Sequence, residues 1–117
     1  MALFICKRSV REPLKTPRFT VEEIEPFVAV EYRDGVPDGG VAVAVIGVAI
    51  EKADGGWRLH KLSDEANVRL GRHGSTSPEM AESLRNRAAF KVKRRLVHAL
   101  NRLRERHTRV YVYPMQP

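Results

Sequence analysis

The chain has 117 residues, with 21 Lys/Arg against 14 Asp/Glu, four histidines and one cysteine, for a net charge of +7. This length suits one domain that can bury a core without help from disulfides or metal. The lone Cys6 excludes an intramolecular disulfide, and there is no apolar run of about 18 residues to span a membrane.

Met1 to Cys6 is apolar, with no basic residue ahead of the run and no small-residue cleavage site, so it does not read as a signal peptide. Together with the single cysteine, this sets a cytoplasmic expectation. Leu3 to Cys6, turning basic at Lys7-Arg8, reads as a first strand of about seven residues, and Arg11, Lys15 and Arg18, spaced by Pro13 and Pro17, extend it as a basic arm through residue 19. Thr20 and Glu23 fit a capping box for a helix that Pro26 limits to about one turn. A strand meander follows over residues 27–62. Phe27 to Tyr32 is its first strand, and the Asp34–Gly40 stretch reads as a loop by its Gly, Asp and Pro content. Val41 to Ile50 is an unbroken apolar or glycine run, rich in Val and Ile, and reads as a central strand covered on both faces. Its alternating Ala42 and Ala44 leave room for a helix on one side. Asp54-Gly55-Gly56 signals a tight turn, and Trp57 to Leu62 returns as the hairpin partner.

Ser63 is placed to cap a short helix ending near Leu70, with Gly71 as its stop. Ser77-Pro78-Glu79 then opens a long helix over 77–107, with Ser at the N-cap, Pro at the first position and an acid in the first turn. Arg109 to Tyr113, β-branched and aromatic, is a final short strand. The expected fold is α+β: a mostly antiparallel sheet of four to five strands, with one long basic amphipathic C-terminal helix packed on one face.

The charge is unevenly distributed along this plan. Residues 20–70 hold ten acids against five Lys/Arg, whereas residues 85–117 hold ten Lys/Arg and only Glu105. Eight of those ten cations are arginine, whose planar fork suits phosphate. At 100° per residue, Ala88, Val92, Leu96, Ala99 and Leu103 lie within about 80° and form the core stripe, with Ala89 and Leu100 at its edge. Arg87, Lys91, Arg94, Arg95, His98 and Arg102 lie on the far side at spacings of about three, four and seven, forming a continuous basic ridge. Phe90 and Val97 form a narrow apolar line beside it. Such a ridge seeks either an outside polyanion or the acidic segment of its own chain.

In the last strand, Arg109, Tyr111 and Tyr113 share one face and Val110 and Val112 the other. Aromatics interleaved with arginine on a sheet face are one way single-stranded nucleic acid is held. The Gly71–Ser77 loop leads into the helix N-terminus, a place for one phosphate, but it lacks the Lys-Ser/Thr ending of a nucleotide-binding loop. The histidines have no metal-ligand spacing, and no serine lies in a nucleophile elbow. Pro37-Asp38 followed by Glu51-Lys52 approaches the carboxylate–lysine pattern of a metal-dependent nuclease, but Lys52 directly follows Glu51 and the intervening residue is missing.

These readings converge on a non-enzymatic protein without metal or cofactor. It is expected to bind nucleic acid through the backbone with little sequence readout, single-stranded DNA or RNA being slightly favoured over duplex. Arg87, Lys91, Arg94, Arg95, His98, Arg102 and Arg109 supply the cations, and Tyr111 and Tyr113 the stacking. The alternative is a protein-interaction module or homodimeric adaptor that uses Phe90 and Val97 as its interface, or that docks an acidic partner protein.

Overall fold

A computed structural model of the chain describes residues 18–36, 39–69, 77–106 and 109–114. The fold is α+β. A one-turn helix α1 (Val21–Ile24) and a 3-10 turn (Glu25–Phe27) precede three strands, β1 (Ala29–Val36), β2 (Gly39–Glu51) and β3 (Trp57–Arg69). A long helix α2 (Pro78–Arg106) and a short strand β4 (Val110–Tyr113) follow. Of the first strand and basic arm expected over residues 1–19, residues 1–17 lie outside the described residues, as does the Gly71–Thr76 loop.

The four strands are antiparallel, and β2 is their hub. One edge of β2 pairs with β3 along its whole length, from Gly39↔Arg69 to Glu51↔Trp57. Its other edge is shared: β1 occupies the first half, with Ala29 opposite Val45, and β4 the second, with Gly47 opposite Tyr113. The Gly55 backbone, at φ 88°, lets the β2–β3 connection turn tightly. The Gly56 amide donates to Asp54 Oδ1 at 2.8 Å to fix that turn.

Period-2 alternation decides which side chains meet the helix. Ala42, Ala44, Ile46, Val48 and Ile50 are buried on one face of β2, joined by Ala66 and Val68 of β3 and Val110 and Val112 of β4. Against them α2 places Ala88, Val92, Leu96 and Leu100. The small alanines leave room for the helix beside them, while Ile46, Val48 and Ile50 contribute more volume farther along the strand. The 29 residues of α2 and the 13 of β2 both span about 43 Å, so one helix covers the full length of the long hairpin. Phe19 and Ile24 close one side of this core.

Local capping agrees with the sequence. Thr20 and Glu23 make the reciprocal capping box of α1, and the Ser77 hydroxyl accepts from the Met80 amide at 3.2 Å to start α2. Three expectations are corrected. Residues 63–69 are not a helix but the second half of β3. Leu62, Asp64, Ala66 and Val68 alternate with Ser63, Glu65 and Asn67, and the ladder to β2 satisfies their backbone as a short isolated helix would not. The stretch expected as a loop after Tyr32 is mostly strand, since β1 runs to Val36 and β2 starts at Gly39. Finally, β2 is covered on both faces only from Ile46 to Ile50, because Val41, Val43 and Val45 are half-buried on the face away from α2.

That far face has its own small cluster. Ala49 and Tyr113 are buried there, with Trp57, Leu59 and Tyr111 packed around them. The Tyr113 ring fits because its cross-strand neighbour is glycine: a Cβ at Gly47 would lie 2.5 Å from its Cε2. Gly47→Ala is therefore expected to cost roughly 1–3 kcal/mol of stability through overpacking, read as a lower denaturant midpoint. In a Tyr113→Ala background the same change should cost much less. Equal costs in both backgrounds would show that the ring does not constrain this position.

Candidate nucleic-acid interface

The rotation of α2 about its axis is set by its buried residues. Val92 and Leu100 are fully buried, and Ala88, Ala89 and Leu96 nearly so. The apolar stripe thus lies slightly to the Ala89/Leu100 side of the expected one, leaving Ala99 and Leu103 half-buried. With that rotation fixed, Arg87, Lys91, Arg94, Arg95, His98 and Arg102 are all exposed. They occupy a sector of about 100° facing away from the core. Residues Arg87, Phe90, Lys91, Arg94, Arg95 and His98 line a shallow hollow of about 290 Å³ on this surface.

The flank of α2 nearer the N-terminal elements is tied down. Lys93, with its side chain only 16% exposed, pairs with Glu25 at 3.2 Å. The Asn101 side chain clamps the Phe19 backbone, accepting from its amide at 2.7 Å and donating to its carbonyl at 3.3 Å. The Arg104 guanidinium lies over the Phe19 ring, 4.9 Å from its centroid. The Tyr32 hydroxyl donates to the Arg85 carbonyl at 3.2 Å. Sequence reasoning missed this flank, since residues 18–20 have no periodic pattern that announces a docking partner.

On the opposite border, Arg95 reaches β3. It pairs with Asp64 at 3.6 Å and donates to the Glu65 carbonyl at 3.0 Å. This contact was invisible while residues 63–70 read as a helix; the alternation from Leu62 to Val68 was the signal for it. Arg109 pairs with Glu51 at 3.3 Å. These pairs join exposed arginines to partly exposed carboxylates and are worth about 1 kcal/mol or less each. Among the described residues, Arg87, Lys91, His98 and Arg102 have no ion pair or side-chain hydrogen bond, and Arg94 touches only the Phe90 ring, at 6.0 Å. Among the described residues, the acids that pair with α2 do so at the borders of the basic surface, and no ion pair reaches Arg87, Lys91 or Arg102.

The structure separates the remaining candidates. Tyr111 and Tyr113 pair with Ala49 and Gly47 on the sheet face away from α2, so they do not extend the helical surface. Tyr113 is 9% exposed, and the half-buried Tyr111 meets Trp57 edge-on with ring centroids 5.1 Å apart. The Tyr113 ring is thus taken up in packing, and Tyr111 keeps part of its surface exposed. Phe90 and Val97 also part company. Val97 packs against the main core, whereas Phe90 is 52% exposed. Phe90 is the aromatic that stands among the crest cations.

Among the described residues, no three or more His, Cys, Asp or Glu side chains group as metal ligands, and no helix is long and apolar enough to cross a membrane. Asp38 and the Gly71–Thr76 loop lie outside the described residues. The chain matches no protein-family model, no curated protein and no solved structure.

Like charges three and four residues apart repel by a few tenths of a kcal/mol each when unanswered. The unfolding temperature should therefore rise as salt is increased from low to moderate ionic strength, and phosphate should raise it more than chloride at equal ionic strength. A melting temperature that falls with salt would show that the crest is not self-repelling.

Proposed function

We propose that this protein binds nucleic acid through its phosphate backbone, without catalysis and with little sequence readout. The observation that supports the reading most is the open crest: Arg87, Lys91, Arg94 and Arg102, with His98 among them, exposed on one rigid helix while the chain's described acids engage its borders. A regular helix holds these cations in a fixed row, so several phosphates of one strand meet them without a large ordering cost. Binding is proposed to take place in the cytoplasm, with DNA or RNA as the partner.

The alternative reading, a protein-interaction or homodimer seam on Phe90 and Val97, loses half its surface because Val97 packs inward. An acidic partner protein would meet the same crest, and competition between oligonucleotide and a polyglutamate chain distinguishes the two.

With four unanswered Arg/Lys on the crest, the slope of log affinity against log salt is expected near −3 for single strands and roughly −3.5 for duplex DNA. Binding that hardly changes with salt would overturn the proposal. Reversing Arg87 and Arg94 to Glu should abolish binding with the fold intact by circular dichroism; they are better probes than Arg95, whose reversal would set a carboxylate against Asp64.

Asp64→Asn offers a gain-of-function check. It removes the charged partner of Arg95 and leaves only the Glu65 carbonyl, so the salt slope should steepen by up to about 0.7–0.9. An unchanged slope would place Arg95 outside the interface.

A further inference from the structure

The Phe90 ring is half-exposed at the edge of the basic crest and helps line its hollow. In the helix its neighbours on the surface are Arg87 and Arg94, three residues before and four after, with Lys91 adjacent in sequence. All four line the same hollow of about 290 Å³. A large apolar side chain gains little from a wet, cationic surface, and Phe90 belongs to neither buried cluster, so the core does not depend on it. The Arg94 guanidinium carbon stands 6.0 Å from the ring centroid, the outer limit of a cation–π contact, so it is loosely held and free to turn to a phosphate. Arg87 and Lys91 have no side-chain partner among the described residues.

We infer that Phe90 and the cations around it form a base-stacking site for single-stranded nucleic acid: one unpaired base lies on the Phe90 ring while Arg87, Lys91 and Arg94 hold the phosphates beside it. This rests on the backbone-binding reading above and sharpens it. Bases in a duplex are stacked on one another and offer no free face, whereas every base of a single strand does, and the ring reads none of their edges. The site therefore prefers single strands without preferring a sequence. It also replaces the stacking role first expected of Tyr111 and Tyr113.

The test compares three probes of equal length at one salt concentration: oligo(dT), an abasic oligomer that keeps the sugar-phosphate chain, and a duplex. Affinity is read by fluorescence anisotropy. The full-length protein should bind oligo(dT) about 5- to 150-fold more tightly than the abasic chain, the gain of one stacked base. Phe90→Ala should bring oligo(dT) down to the abasic level and leave abasic affinity and the salt slope unchanged, while Phe90→Trp should retain the preference. Equal affinity of the wild-type protein for oligo(dT) and the abasic oligomer overturns the stacking site but leaves backbone binding standing. Salt-insensitive or absent binding to every probe overturns both readings. If Phe90→Ala weakens both single-stranded probes alike and also dissociates an oligomer in sedimentation, Phe90 is an interface between copies of the chain and the stacking site is wrong.

Discussion

The contact between the inward face of β2 and the apolar stripe of α2 governs everything else in this protein. Ala42 and Ala44 are fully buried and leave room for the helix backbone, and Val92, Leu96 and Leu100 interlock with the larger residues farther along the strand. Such a contact tolerates little rotation. Turning α2 by one residue position, about 100°, would carry Lys91 or Lys93 into the core and bring out Val92. An unpaired buried cation costs several kcal/mol, so the outward setting of the crest follows from packing, with no need for any interaction on the outside.

The same alternation that builds the core also scatters the acids. Glu31 of β1 and Glu65 of β3 both stand in register with Val43, on the sheet face away from α2. Asp64, one residue earlier, is on the helix side and reaches Arg95. Glu25 sits beside Lys93 on the other flank. An acidic segment that by count offsets much of the basic one is thus divided between two faces. Among its described members, Glu25 and Asp64 pair with the helix at its borders, and the positive crest remains a surface feature of the folded chain.

The two sheet faces carry different kinds of apolar chemistry. Toward α2 the residues are aliphatic, branched and buried. Away from it, small residues at Gly47 and Ala49 make a floor on which Tyr113 and Tyr111 lie, with Trp57 edge-on. Those aromatics spend their faces on one another and on the floor. Phe90, on an α2 face that nothing described covers, keeps half its ring open.

The sequence by itself determined the elements whose physics is local. The Thr20–Glu23 box, the Ser77-Pro78 helix start, the turn at Gly55 and the long amphipathic period of α2 could all be read from neighbouring residues, because each is a matter of caps, dihedral preference or one face of one helix. The antiparallel α+β architecture followed from their order. Only the tertiary structure decided what depends on partners far along the chain. Residues 63–69 have a serviceable helix cap and are strand because β2 offers them a complete ladder. Tyr113 reads as a free aromatic and is buried because Gly47 lies across from it. Arg95 and Arg94 are adjacent and alike in sequence, yet one is engaged by Asp64 while the other stays open, because the register of β3 against β2 points Asp64 toward the helix, and that register is a long-range property no single segment contains.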